Sequence, residues 1–184
     1  MKKYFIEYKP FLSFLGKFLL VYALLTFIYE KYLSQFDTKK FEVDGFTQLV
    51  SRQTVSLMHF FGLNASQNFN PFEPNMQMFY NNNYVARIIE GCNGLSVIIL
   101  FIAFVIAFTG KFKHTILFIA SGTLIIHVFN VARIALLCVL ITKYPKYKSI
   151  LHDIVFPLII YGTVFLLWII WVNKFSRYAT KTVQ

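Results

Sequence analysis

The sequence predicts an all-α integral membrane protein with about four transmembrane helices and an outer-face loop that contains an interfacial helix and a small β-hairpin. Hydrophobic residues make up 57% of its 184 residues and charged residues only 14%, a balance unlike that of a soluble domain. Four helical crossings of about 20 residues each take about 80 residues. The remainder is too short for a large soluble catalytic domain, so we predict a single membrane domain over residues 1–184.

The predicted spans are apolar runs bounded by polar or charged residues. The first run is interrupted only by Lys17, whose charge can reach the membrane surface. It is too long for a cleaved signal peptide and no small-residue cleavage site follows it, so we predict a signal anchor. The four spans cover residues 11–29, 95–109, 115–141 and 151–172.

Residues 30–93 form the predicted outer loop. Asp44 can cap a helix whose apolar residues recur at helical spacing and which Gly62 can end. This amphipathic segment is predicted to lie on the membrane surface. Further along, two short apolar and aromatic runs flank Asn81-Asn82-Asn83, a tripeptide that suits a turn. These runs predict the hairpin.

The distribution of basic residues predicts that both termini are cytoplasmic in a multi-pass inner-membrane protein. With this orientation, the inner segments hold eight Lys or Arg in 26 residues and the outer segments hold eight in 71. Cytoplasmic loops carry the excess of positive charge in membrane proteins. The net charge of +10 comes mostly from residues beside apolar runs, where they face lipid head groups. It therefore does not indicate nucleic-acid binding.

The third span carries a polar stripe. Thr123, His127, Asn130 and Arg133 fall within an arc of about 120° on a helix. Arg133 lies about 27 Å from the start of the span, near the predicted outer boundary. Ionisable groups are costly in hydrocarbon and call for a partner or a function. A snorkelling arginine, with polar side chains that join helices, is an equally weighted alternative.

His152 opens the fourth span at the same boundary. Ser149 is predicted to be the N-cap, which places His152 in the first helical turn. The helix dipole there disfavours the imidazolium and keeps a neutral base available. Asp153 is expected to point elsewhere on the helix, so no His–Asp pair is predicted. An ordinary interfacial histidine is the alternative.

Cys92 lies between two glycines, immediately before the second span. Gly91 and Gly94 allow close backbone approach. Asn93 can cap the following helix, which leaves the sulfur beside a positive helix end that favours thiolate. A buried, inert cysteine is the alternative reading.

Cys138 is the second sulfur of the chain. It lies about 140° around the helix from Arg133, so we interpret it as a packing residue, while a Cys92–Cys138 disulfide stays open. The chain has two cysteines without a CxxC pair or a His/Cys cluster. The sequence therefore predicts no metal site and no cofactor.

The alternating topology brings Cys92, Arg133 and His152 from three spans to the same face of the membrane. A thiol, a base and a fixed cation are the groups needed to attack a carbonyl, transfer a proton and stabilise the oxyanion.

Three motifs resemble the exosortase/archaeosortase family of membrane cysteine transpeptidases over roughly residues 84–172. They are Glu90-Gly91-Cys92-Asn93-Gly94-Leu95, Asn130-Val131-Ala132-Arg133-Ile134 and Leu151-His152-Asp153. The resemblance implies an enzyme that recognises a C-terminal sorting tail on exported proteins, made of a short motif, a transmembrane helix and a basic cluster. Such an enzyme cleaves the tail through a thioester and transfers the protein to an acceptor.

By motif position, the resemblance makes Cys92 the nucleophile, Arg133 the transition-state stabiliser and His152 the proton-transfer residue. The remaining site candidates, for substrate binding or support, are Asn93, Gly94, Asn130 and His127. Two features depart from the family pattern. Many members carry serine after the cysteine where this chain has Asn93, and many have about eight spans, which suggests a short branch here.

Two other functions remain open on the sequence. A non-enzymatic membrane subunit of a polysaccharide or protein export system would use the polar stripe to bind a partner helix. A small transporter would use Arg133 to bind an anionic solute, although the chain lacks inverted repeats and glycine-interrupted spans.

Overall fold

The computed structural model describes residues 8–108 and 110–175 and confirms a mostly helical membrane protein with a small antiparallel sheet. The helices are α1 (Lys9–Leu33), α2 (Gly45–Phe60), α3 (Leu95–Ala107), α4 (Phe112–Lys143) and α5 (Pro145–Phe175). The strands are β1 (Ala65–Phe69), β2 (Met76–Tyr80) and β3 (Asn83–Ile88). The terminal charges at Lys2, Lys3, Arg177 and Lys181, and the end of the second predicted span at residue 109, lie outside the described residues.

Among the described residues, three helices are long and apolar enough to cross a bilayer, namely α1, α4 and α5. Helix α3 is also apolar but has only 13 residues. Its rise is about 20 Å, against about 30 Å of hydrocarbon in a typical bilayer. The chain is therefore a multi-pass membrane protein in which α3, the second predicted span, is shorter than a full crossing.

Helix α4 is longer than a bilayer requires. Its 32 residues rise about 48 Å, and its later part leaves the bundle to pack on α2 and the sheet. Val131, Ile134 and Cys138 of α4 belong to one core cluster with Val50 of α2 and Met78 of β2. The part of α4 beyond the bundle thus supports the layer formed by α2 and the sheet.

Helix α2 begins and ends where the sequence predicts. The Asp44 carboxylate accepts hydrogen bonds from the backbone N–H groups of Phe46 at 3.0 Å and Thr47 at 2.9 Å, which satisfies two free donors of the first turn. Gly62 follows the helix with a left-handed φ of +70°, the usual conformation at a helix end. The buried face of α2 is the one that turns to α4 and the sheet.

The predicted hairpin is present as β2 and β3. Asn81 and Asn82 join the strands with positive φ angles of 50° and 62°, as the two-residue turns of hairpins require. Strand β1 pairs antiparallel with β2 and makes a three-stranded sheet in the order β1-β2-β3. Strand β1 is not predicted by the sequence pattern, because its residues Ala65–Phe69 are mainly polar and gain their strand structure from pairing with β2.

A second core cluster holds α3, α4 and α5 together. It includes Phe101 of α3, Ile126 of α4 and Trp171 of α5. Gly122 of α4 leaves room for the Phe101 ring, which a Cβ atom at position 122 would overlap. The absence of a side chain at Gly122 thus permits the close approach of α3 to α4.

Gly122→Ala should destabilise the bundle by about 1–3 kcal/mol, the usual cost of overpacking a core. The matched control is Gly162→Ala in α5, where a Cβ meets no atom within 4 Å. The check is the midpoint of thermal unfolding in detergent. We expect a lower midpoint for Gly122→Ala than for Gly162→Ala, and equal midpoints would contradict the close α3–α4 contact.

Candidate active site

A cavity of about 220 Å³ lies where β3, the turn before α3, the later part of α4 and the start of α5 meet. Cys92, Arg133 and His152 all line it. The structure therefore brings the three predicted catalytic residues, which come from three separate elements, to one small space. The full lining is Tyr84, Val85, Ala86, Arg87, Ile88, Cys92, Arg133, Ile134, Leu137, Ile141, Lys148 and His152.

The cavity lining combines aliphatic and basic side chains. Its charged side chains are Arg87, Arg133 and Lys148, and no acidic residue lines it within the described part of the chain. Arg87 forms an ion pair with Glu73 of the loop between β1 and β2. Neither Arg87 nor Lys148 was among the site residues predicted from the sequence. The signal for Lys148 was its position four residues before His152, since such a spacing places two side chains on one helix face.

The backbone of Cys92 is fixed by a buried amide. Cys92 ends a single 3₁₀ turn, Glu90–Cys92, and Asn130 of α4 donates a hydrogen bond from Nδ2 to the Cys92 carbonyl oxygen at 3.2 Å. Gly94 has a φ of +87°, and a Cβ there would come within 3.0 Å of the Asn130 amide. The glycine thus allows α4 to approach the turn closely enough for this hydrogen bond.

Asn93 ties the same turn to three helices. Its side chain is fully buried. The Oδ1 atom accepts a hydrogen bond from the Leu95 N–H at 2.9 Å, so Asn93 satisfies one free donor at the start of α3 from the position before the N-cap, which is Gly94. The Nδ2 group donates to Thr47 Oγ1 of α2 at 3.0 Å and to the Tyr29 hydroxyl of α1 at 3.4 Å. These bonds hold the residue after Cys92 in one position.

Arg133 lies beside Cys92 with an unsatisfied donor. The two side chains line the same cavity and are close enough to interact electrostatically. The Arg133 Nε is buried and has no hydrogen-bond partner within the described chain. A buried donor without a partner costs free energy, and within the described chain nothing offsets this cost at the Arg133 Nε–H.

His152 is bonded to the residue that follows it. Its Nδ1 lies 2.7 Å from Asp153 Oδ1, so the prediction that Asp153 points elsewhere is wrong. Both side chains are about half exposed, and because packing does not hold them apart they can turn toward each other. They lie in a widened π-helical turn, Leu151–Val155, a feature that often marks functional sites.

Ser149 is not the N-cap of the last helix. Helix α5 begins earlier, at Pro145, whose fixed φ suits a first helical turn. Ser149 instead lies within the helix and donates a hydrogen bond from Oγ to Asp153 Oδ2 at 2.8 Å. His152 is consequently beyond the first turn, and the predicted effect of the helix dipole on its charge does not apply.

His127 does not line the cavity. Its Nε2 lies 2.6 Å from Gln53 Oε1 of α2, and its ring packs beside Phe46 at 5.7 Å between centroids. The polar stripe of α4 is thus divided. Arg133 lines the cavity and Asn130 bonds to the backbone of Cys92, while His127 joins α4 to α2.

The two cysteines are both free. Cys138 is fully buried in the core cluster beneath the sheet, as the packing interpretation predicted. The Cys92 thiol is therefore not consumed by the disulfide that the sequence left open.

Glu90 lies two residues before Cys92, outside the membrane-spanning helices. Burial raises the pKa of its carboxyl group, and the negative charge of Asp44 raises it further. Both effects favour the neutral carboxylic acid.

The chain matches one protein-family model, Transmembrane exosortase (Exosortase_EpsH), over residues 12–171. The match extends well beyond residues 84–172, to which the motif resemblance was confined, and includes α1, α2 and the sheet. The comparisons with curated proteins and with solved structures give no match.

Gly94→Ala should loosen the turn that carries Cys92. A left-handed φ costs an L residue about 1–2 kcal/mol, and the added Cβ presses on the Asn130 amide. Gly91→Ala is the matched control, because a Cβ at position 91 has no neighbour within 4 Å. Hydrogen–deuterium exchange of the segment 90–95 is the measurement. We expect faster exchange in Gly94→Ala than in Gly91→Ala, and unchanged exchange in both would contradict the described role of Gly94.

Proposed function

Because the chain belongs to the transmembrane exosortase family, we propose that it is a membrane cysteine transpeptidase that removes the C-terminal sorting tail of exported proteins. One observation carries the proposal: Cys92, Arg133 and His152 line one cavity of about 220 Å³. A nucleophile, a fixed donor and a base within reach of one reacting group are the minimum for acyl transfer.

In the first half-reaction, the Cys92 sulfur attacks the carbonyl carbon of the scissile peptide bond. The thiol proton passes to Nε2 of His152 as the S–C bond forms, which gives a tetrahedral oxyanion. When the C–N bond breaks, His152 returns that proton to the departing amine of the tail. The exported protein is left attached to Cys92 as a thioester, and no oxidant or reductant is needed.

Arg133 is proposed to bind the oxyanion. Its Nε–H is buried without a partner in the described chain, so it can donate to the charge that develops on the substrate oxygen. A donor that is already fixed near the reacting atom needs no reorganisation when the charge appears, and donors of this kind typically contribute about 10²–10³ in rate.

In the second half-reaction, an acceptor nucleophile attacks the thioester carbonyl. His152 takes the acceptor's proton, the C–S bond breaks, and the proton returns to the Cys92 sulfur. Water as acceptor gives hydrolysis, while an amine or hydroxyl on a lipid or glycan gives transfer. The aliphatic side chains that line the cavity suit a substrate segment that is partly apolar.

The proposed orientation places the cavity at the outer face of the inner membrane, with both termini in the cytoplasm, and it requires the short helix α3 to cross the bilayer as well. The support is the lower density of Lys and Arg in residues 30–93 and 143–149 than in the inner segments. The substrate is proposed to carry a short motif, a transmembrane helix and a basic cluster at its C-terminus.

A non-enzymatic export subunit is less well supported, because it needs the polar stripe of α4 free to bind a partner helix. His127 is bonded to Gln53 and Asn130 to the Cys92 carbonyl, both within the chain. Two of the four polar residues of the stripe are therefore engaged within the chain and are not free to bind a partner helix.

Replacing Cys92 with Ala should abolish processing of a co-expressed exported reporter that carries a sorting tail from the same genome, because no thioester can form. The matched control is Cys138→Ala, which removes the buried sulfur and should leave processing near the level of the unaltered chain. Processing is measured as the loss of the tail from the reporter on gels, at equal levels of membrane-inserted enzyme. Continued cleavage by Cys92→Ala would overturn the proposal.

A further inference from the structure

We propose that Asp153 is a positioning residue that orients His152 and supports its positive charge during proton transfer. This inference rests on the proposed function of the cavity, and it concerns a residue to which the sequence analysis gave no role. The carrying observation is a chain of hydrogen bonds at the start of α5, from Ser149 through Asp153 to His152.

The hydrogen bond to Asp153 selects one protonation pattern of the imidazole. Asp153 Oδ1 lies 2.7 Å from His152 Nδ1. Because an ionised carboxylate can only accept hydrogen bonds, Nδ1 must carry the proton. In neutral His152, Nε2 then has the lone pair, and it is the atom that can take a proton from the thiol.

The carboxylate of Asp153 is itself held in place. Ser149, one helical turn earlier, donates to Oδ2 at 2.8 Å, while Oδ1 is bonded to His152. With both oxygens engaged, one orientation of the carboxylate is favoured, and its hydrogen bond favours one orientation of the imidazole ring.

The charge of Asp153 matters because the surroundings of His152 are basic. The titratable and charged groups that share its cavity are Tyr84 and Arg87 of β3, Cys92 before α3, Arg133 of α4 and Lys148 of α5. Arg87 is paired with Glu73, whereas Arg133 and Lys148 would repel an imidazolium. A carboxylate bonded to the ring offsets that repulsion and favours the protonated state that the relay passes through.

The proton movement is balanced without Asp153 changing its own protonation. The Cys92 S–H bond breaks as the His152 Nε2–H bond forms, and the same proton later goes to the leaving amine. Throughout, the Nδ1 proton stays on His152 and points at Asp153. The residue therefore acts through His152 and touches no substrate atom, which is why we call it a positioning residue.

The test follows the reactivity of Cys92 rather than turnover, so no substrate is needed. The full-length protein in liposomes is treated with iodoacetamide over a range of pH, and alkylation of the Cys92 peptide is quantified by mass spectrometry. Only thiolate reacts, so the rate reports proton transfer from Cys92 to His152. Buried Cys138 serves as an internal control for unfolding.

Asp153→Asn should slow Cys92 alkylation at neutral pH about tenfold and move the rise of rate with pH to higher values, since the imidazole loses its anionic partner. Asp153→Glu should restore most of the rate. Ser149→Ala, which keeps the carboxylate charge, should slow alkylation only about two- to threefold. The matched control is Asp37→Asn, an aspartate paired with Lys40 away from the cavity, which should leave the rate unchanged.

The inference and the proposed function fail in different ways. If His152→Ala slows alkylation and Asp153→Asn does not, the role of Asp153 is overturned while the Cys92–His152 relay stands. If His152→Ala leaves the rate and its pH dependence unchanged, the relay fails and the role of Asp153 fails with it. Slowing by Asp153→Asn without a shift along the pH axis, and without rescue by Asp153→Glu, would mean a merely structural role and would also overturn the inference.

Discussion

Two buried side-chain amides must find hydrogen bonds in apolar surroundings, and the position of the candidate nucleophile depends on how they do so. Asn93 and Asn130 are almost wholly buried, and a buried amide without partners costs about 1–3 kcal/mol. Asn93 meets this need by bonding to Tyr29, Thr47 and the Leu95 N–H, and Asn130 by bonding to the Cys92 carbonyl. Four helices thereby hold one short turn, and polar bonds fix the backbone that carries the thiol.

The rest of the cavity follows from this fixed turn. The later part of α4 must extend past the bundle for Asn130 to reach Cys92, and this extension also provides the surface on which α2 and the sheet pack. Arg133, one turn further along α4, then lies beside the thiol. Gly94 permits the approach because it lacks the Cβ that would press on Asn130. Stability of the layer and geometry of the site thus rest on the same contact between α3 and α4.

Helix caps and turns could be predicted from the sequence, whereas contacts between residues far apart in the sequence could not. The Asp44 cap and the Asn81-Asn82 turn each depend on a few adjacent residues, and the structure confirms them. Asn93 bonds to the first turn of α3, although Gly94 is the N-cap. Strand β1 exists only through its pairing with β2. The Ser149–Asp153–His152 chain depends on a helix that begins at Pro145 and on a widened turn that periodicity does not reveal. His127 bonds to Gln53, 74 residues away in sequence, so its departure from the cavity was not predictable.

The central claim is that the Cys92 sulfur forms a thioester with the exported protein, and mass spectrometry of the enzyme during turnover tests it most directly. Membranes that contain the enzyme and a tailed reporter are quenched in acid, and the peptide that carries Cys92 is examined. We predict an adduct on Cys92 that ends at the cleavage site of the reporter and that hydroxylamine removes, since thioesters react with it. A processed reporter with Cys92 always unmodified, or an adduct on another residue, would contradict the account.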